Sequence, residues 1–193
     1  MAEAPFVPDP SSFSERLILW NGLAQAGFSA WDFLPGMRFK ERAAWWREGT
    51  ARAGAHEGLD ICFYRTAEGR RLSLGAGARV PVIGAGEVVS VVADFLGASV
   101  FVAHARCDGE GRRLHSVYGH VDPRVGLAPG SLLEEADAVG TIADTCGRKS
   151  PPPPHLHITL ALIDREGGPE RLDWGTLLEK ERSVLLDPMI IMK

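Results

Sequence analysis

Two histidines alternate with large aliphatic residues in Pro154-His155-Leu156-His157-Ile158-Thr159-Leu160, and a two-residue period of this kind leaves the segment few ways to fold. Successive side chains of a β-strand point to opposite faces. His155 and His157 then share one face, while Leu156, Ile158, Leu160 and Leu162 share the other and read as a core-facing row. Four consecutive prolines, Pro151 to Pro154, lead into the strand. Lacking amide donors, they form an extended approach and not a central strand. A strand that buries aliphatics on one side and aims two imidazoles the other way is a rigid mount for polar chemistry. Its evident partner lies earlier, in His56-Glu57-Gly58-Leu59-Asp60.

A chain of 193 residues suits one domain with a proper core, and 22 glycines with 13 prolines favour a turn-rich fold of short strands. The expected class is mainly β, built of antiparallel sheets. A net charge of -4 with scattered arginines supplies no footprint for nucleic acid. Cys62, Cys107 and Cys146 show no C-x-x-C spacing and are odd in number, which argues against a disulfide framework. No stretch approaches the roughly 18 apolar residues of a membrane helix. The first residues carry no export signal, so the expected location is cytoplasmic, or the cell envelope if another export route or processing applies.

Along the chain, Ser12 or Ser14 is placed to cap a helix over Glu15 to Gln25 that Gly27 ends, with Leu17, Trp20, Leu23 and Ala24 on one face. Phe39, Ala43 and Trp46 suggest a short helical turn within Trp31 to Arg52. Trp20, Trp31, Trp45 and Trp46 read as packing residues. Residues 1–53 thus form a helical or irregular extension packed on a domain of residues 54–193. From His56 onward the texture is β. Leu59 to Tyr64 reads as one strand with Arg71 to Leu74 its return, and Val80 to Ala93 is a long β-rich run broken at Gly84 and Gly86. Ser99 to Arg106 and Leu114 to Val121 form a hairpin, and Ala138 to Ile142 a further strand. A short helix around Trp174 to Arg182 and a tail through Asp187-Pro188 close the chain.

His56 and Asp60 are four residues apart, so an extended backbone aims both to one face, and one imidazole of His155 or His157 completes three metal ligands. Two imidazoles and a carboxylate leave a fourth tetrahedral position open, the arrangement of a catalytic zinc site. Cys62 shares the face of Asp60 but reads as a small buried side chain, not a ligand. The chain has no H-E-x-x-H, so a histidine outside the ligand set must move the proton. The second imidazole of the His-x-His pair and His120 are the candidates. Tyr118 and His120 are expected on one strand face, with Val117, Gly119 and Val121 on the other. His104 and His115 read as structural.

His56-x-x-x-Asp60, Tyr118-Gly119-His120-Val121 and His155-Leu156-His157, in that order, resemble the motifs of the LytM/lysostaphin-type zinc peptidases, the M23 peptidase family. Gly77 to Val82, Gly86 to Val89, Val125 to Gly140 and Asp187-Pro188 extend the likeness over about Gly54 to Met189. The resemblance implies an antiparallel β fold with a groove over the sheet, zinc held by His56, Asp60 and His157, and His120 and His155 as the catalytic imidazoles. His120 is taken as the general base and His155 as the group that stabilises the tetrahedral intermediate, roles that could be exchanged. It also implies a glycine- or alanine-rich peptide substrate such as a peptidoglycan stem or cross-bridge. Two departures stand out: Thr159 replaces the family's acidic residue, and Arg148-Lys149-Ser150 with the prolines replaces its glycine-rich approach to the last motif.

Two other classes fit parts of this pattern. One is a catalytically silent zinc-binding regulatory or binding module on the same fold. The other is a phosphocarrier resembling the glucose-type phosphotransferase proteins, which needs a phosphorylatable histidine beside a second imidazole.

Overall fold

The computed structural model describes residues 12–145, 152–164, 172–179 and 181–192. The fold is mainly antiparallel β, with two short helices. Its centre is the strand anticipated from the His-Leu-His alternation, β11 (Leu156–Ile163), every residue of which is buried. On one side β11 pairs with β8 (Arg113–Pro123), which forms the predicted hairpin with β7 (Ala98–Cys107); β6 (Gly86–Ala93) and β9 (Leu132–Leu133) follow beyond it. On its other side β11 carries two strands in succession. β2 (Leu59–Ile61) covers Leu156 to Ile158, and β12 (Ser183–Leu186) covers Leu160 to Ile163. β10 (Ala138–Ile142) pairs β8 beyond Gly119 and also pairs β5 (Arg79–Pro81). The break foreseen at Gly84 and Gly86 is therefore a change of strand.

The aliphatic row does what its period requires. Leu156, Ile158, Leu160 and Leu162 join the main core with Phe13, Leu17, Val100, Tyr118 and Val121. The opposite face is also covered at its far end, where Ala161 and Ile163 pack with Phe101, Val117, Leu172 and Leu177. Around the histidines that face stays buried but turns from apolar to polar. That leaves a polar window in an otherwise apolar layer.

Several local expectations are corrected. The single strand from Leu59 to Tyr64 is two: β2 serves the large sheet, while β3 (Phe63–Thr66) joins a three-stranded sheet with β1 (Phe28–Asp32) and β4 (Arg71–Ser73). The chain changes sheets at Cys62, where a continuous β-rich run gives no local sign of the turn. The first helix, α1 (Phe13–Trp20), stops short of Gln25. Gly22 adopts a positive φ of 63°, Leu17 and Leu23 are buried, and Ala24 is exposed. Ser12 precedes α1 without a capping bond, its hydroxyl reaching Glu135 instead. Residues 33–52 hold no helical turn, only turns and a bridge between Ala43 and Ala51. The C-terminal helix, α2 (Trp174–Leu177), is a single turn capped by Asp173, and β12 and a 3-10 turn (Pro188–Ile191) lie where a tail was expected. No helix among the described residues is long and apolar enough to cross a membrane.

Candidate metal centre

Backbone pairing sets the centre. β2 and β11 place His157 directly opposite Asp60, and β8 places Gly119 on the other flank of His157. Glycine lets both neighbours approach closely, and at residue 58 it is required. A Cβ at Gly119 would stand 3.3 Å from His157 Cβ. At Gly58 it would stand 2.4 Å from Ile158 O and 2.7 Å from both His157 Nε2 and Thr159 Oγ1. The loop carrying His56 can lie against β11 only because residue 58 has no side chain.

His56, Asp60 and His157 converge with all three side chains buried, and they could hold a metal ion. His157 Nδ1 lies 2.8 Å from Asp60 Oδ1, His56 Nε2 lies 3.2 Å from the same oxygen, and the two ring nitrogens are 3.2 Å apart. Donor atoms bound about 2.0–2.1 Å from a tetrahedral ion stand about 3.4 Å from one another, so this triangle is close to the size such an ion needs. Each imidazole is also held from behind. His56 Nδ1 donates to Arg38 O at 3.1 Å, and His157 Nε2 lies 2.9 Å from Thr159 Oγ1. The carbonyl fixes the His56 tautomer with its Nε2 lone pair inward, while the Thr159 hydroxyl, which can donate or accept, lets His157 Nδ1 donate to Asp60 here and present a lone pair to a metal. Thr159, the departure from the family pattern, supplies a hydroxyl where an acid was expected.

Charge follows the same logic. Burial pushes the Asp60 carboxyl up, but the imidazoles of His155, His157 and His56 around it outweigh that and hold it well below the carboxylate range. Burial pushes His157 down against the pull of Asp60. One carboxylate and two imidazoles is the donor set that a borderline dication such as zinc takes. Cys62 has no part in it: its thiol points to Pro154 O at 3.6 Å, and burial raises its pKa to about 12.

The remaining predicted imidazoles flank the centre. His155 donates from Nδ1 to Pro153 O at 2.8 Å, and its Nε2 stands 3.7 Å from Asp60 Oδ1. Burial drives its pKa to about 4 despite Asp60 nearby, so it is neutral at physiological pH. His120 lies with its ring 4.9 Å from that of His155. It does not share a face with Tyr118 as alternation predicts. Tyr118 points into the core, its hydroxyl accepting from Ile83 N at 2.8 Å, whereas His120 has a φ of 62° at a register shift between β7 and β8. The bulge inserts a residue and turns His120 to the side of Gly119 and His157. A non-glycine residue at positive φ is rare and costs energy, and such strain gathers at functional sites.

Asp94 holds that conformation. Its Oδ2 accepts from His120 N at 2.9 Å and lies 3.2 Å from His120 Nδ1, while Oδ1 accepts from Leu96 N and Gly97 N. Burial raises the Asp94 pKa, but the His120 contacts and the backbone donors outweigh it and keep the carboxyl ionised. Sequence reasoning passed over Asp94; the Asp-x-x-Gly spacing of Asp94 to Gly97 marks a tight turn but not its neighbour across the sheet. Trp45 and Trp46 are likewise not only packing residues. Trp45 lies edge-on to His155 at 5.1 Å, and Trp46 lines a cleft of about 340 Å³ with Arg52, Asp94, Phe95, Trp174 and the histidines. His104 and His115 lie apart, as expected, His104 between Ala85 O and Ser116 Oγ and His115 against Arg113 O. Cys107 is a free thiol, and Cys146, Pro151 and the Arg148-Lys149-Ser150 wall lie outside the described residues.

The chain is similar in structure to lysostaphin. Against its solution structure the identity is 17%, covering 59% of this chain and 39% of that one, with a TM-score of 0.40. The chain thus spans about two fifths of the lysostaphin chain that it matches. Against the SpoIIQ–SpoIIIAH pore-forming complex the identity is 19% over 97% of this chain and 90% of that one, with a TM-score of 0.45. Neither likeness carries an argument about activity. No family model and no curated protein matches the sequence. The buried His56, Asp60 and His157 group is consistent with the metal site that the M23 resemblance implies.

Proposed function

We propose that this chain is a zinc metallopeptidase that hydrolyses peptide bonds, with the short peptides of a peptidoglycan stem or cross-bridge as its substrate class. One observation carries the reading: three metal-type donors meet in a buried triangle at a cleft whose wall adds two further imidazoles. Zinc on His56 Nε2, Asp60 Oδ1 and His157 Nδ1 would supply a Lewis acid for the scissile carbonyl and the attacking water. Trp46, Phe95 and Trp174 line the cleft and would give a bound peptide apolar walls.

His120 is assigned as the proton acceptor. Asp94 Oδ2 holds the residue through its backbone N–H and stands 3.2 Å from Nδ1 without hydrogen-bond geometry, a charge contact that favours the proton on Nδ1 and leaves Nε2 to accept. His155 is assigned to steady the tetrahedral species. Its Nδ1 is tied to Pro153 O and its Nε2 faces the centre beside Asp60 Oδ1, so it stands where it can steady that species once the proton taken from the attacking water is shared with it from His120, whose ring is 4.9 Å away. Residues 54–193 form the peptidase unit in this reading, and residues 1–53 an extension that reaches its cleft.

The test is incubation of the zinc-loaded protein with purified peptidoglycan and with a mixed peptide library, followed by mass spectrometry of the products, beside a chelated sample and Asp60→Ala. Metal-dependent new termini, absent from both controls, are expected. A preparation that holds one zinc per chain and yields no product on either substrate overturns the peptidase reading in favour of a silent zinc-binding module.

A further inference from the structure

The outer support of Asp60 comes from a part of the chain that the motif resemblance does not reach. Asp60 Oδ2 accepts from Trp45 Nε1 and from Arg52 Nη2, both at 2.7 Å. Its Oδ1 instead faces His157, His56 and His155 at 2.8, 3.2 and 3.7 Å. The two oxygens of one buried carboxylate therefore have separate duties. With two donors on it, Oδ2 has both lone pairs engaged. We infer that Trp45 and Arg52 are positioning residues that hold Asp60 as a one-oxygen ligand and keep the centre at three protein donors. The inference rests on reading His56, Asp60 and His157 as a metal centre.

Both donors are themselves fixed. The Arg52 guanidinium lies over the Trp46 ring at 4.7 Å and donates from Nη2 to Gly36 O at 3.2 Å as well as to Asp60. Trp45 packs edge-on against His155, Trp46 and Phe63. The Asp60 side chain is 2% exposed and that of Arg52 19%, so water does not readily replace either contact. The same segment braces the other ligand of this loop. Arg38 O accepts from His56 Nδ1, Lys40 N donates to His56 O, His56 N donates to Glu41 O, and Asp60 N donates to Met37 O.

The chemical consequence concerns coordination number. A carboxylate that swung to chelate through both oxygens would add a protein donor and crowd the position that water and substrate need. The clamp on Oδ2 prevents that swing. It also sets two effects of Arg52 against each other: its positive charge opposes a cation, while its hydrogen bond orients the ligand. Orientation outweighs the charge, which fixes the sign of the mutational effect.

Cobalt(II) is the probe, because its visible absorption is intense in four-coordinate sites and several-fold weaker in five-coordinate ones. Affinity is read by chelator competition on the full chain for wild type, Trp45→Phe, Arg52→Gln and Arg52→Lys, with circular dichroism and thermal midpoints in chelator as the folding control. Expected are losses in affinity of about 10- to 100-fold for Trp45→Phe and Arg52→Gln, a weakened visible band in both, and partial rescue by Arg52→Lys. Trp45→Phe keeps the ring packing, so it remains informative if Arg52→Gln fails to fold. Tighter or unchanged cobalt binding by Arg52→Gln, or an unchanged band and affinity in folded Trp45→Phe, overturns the inference while leaving the metal centre standing. A wild type that takes up no cobalt overturns both.

Discussion

Replacing Gly58 by alanine adds one methyl group at the most crowded point of the centre. Its Cβ would stand 2.4 Å from the backbone oxygen of Ile158, which is paired to Leu59 across β2 and β11, and 2.7 Å from both His157 Nε2 and Thr159 Oγ1. Gly58 is outside the left-handed region, so the penalty is steric and not conformational. The carbonyl cannot rotate away without opening the ladder, so β2 must shift. Overpacking of this kind costs about 1–3 kcal/mol. Separating His157 from Thr159 adds roughly 1 kcal/mol for the lost hydrogen bond. The sum, about 2–4 kcal/mol, corresponds to a fall in Tm of roughly 5–15 °C for a domain of this size. Gly54→Ala is the control: it lies in the same loop with nothing within 4 Å of its Cβ and no positive φ. It should be neutral or gain about 0.4–1 kcal/mol from a stiffer unfolded chain. Equilibrium urea unfolding in chelator, followed by circular dichroism, reads both variants free of metal linkage. If Gly58→Ala unfolds within about 0.5 kcal/mol of wild type, the close seat of the His56 loop on β11 is wrong, and the donor triangle derived from it falls as well.

His120→Ala should retain one zinc per chain by atomic absorption and lose peptide turnover by about 100-fold or more, because it stands outside the donor triangle; loss of the metal along with turnover would put His120 among the ligands. Asp94→Ala leaves His120 N, Leu96 N, Gly97 N and the Ser99 hydroxyl without their acceptor and should cost about 2–4 kcal/mol in urea unfolding, against under about 1 kcal/mol for an exposed surface carboxylate. Burial drives the pKa of His115 to about 4, so between about pH 6.5 and pH 4 the unfolded chain takes a proton that the folded chain refuses. Stability from this group is therefore present above the unfolded pKa and lost as the pH falls through that window, and His115→Gln should flatten the stability profile there by up to about 1.4 kcal/mol per pH unit; parallel profiles for the two proteins would contradict it.

Most of the candidate site was legible because its signals are local. His155 and His157 share a face by the two-residue period, and the spacing of His56 and Asp60 aims both the same way. The structure brings Asp60, His155, His157 and His120 to one cleft, with His56 buried behind Asp60 and His157. The orientation of His120 was misread because alternation assumes an unbroken strand, and a bulge is set by pairing with a neighbour that the sequence does not place alongside. The first helix overran for a similar reason: Leu23 and Ala24 continue its apolar period, but Gly22 takes a left-handed turn and sends the chain into β1, which pairs with β3 nearly forty residues on. β12 went unseen because Ser183–Leu186 has too few residues to show a period and gains its partner only from β11.

By itself the sequence determined the strand that mounts the imidazoles, the donors available to a metal and the mainly antiparallel class, since side-chain alternation and turn chemistry are properties of neighbouring residues. The tertiary structure alone decided which nitrogen of each histidine faces inward, that Arg38 O and Thr159 back the two rings, and that Trp45, Arg52 and Asp94 complete the surroundings. Most of these are contacts between residues that lie on different elements, shielded in part from water. Their geometry exists only once the strands have paired and water has been excluded from between them, and no pattern of residue types along the chain encodes a distance across a sheet.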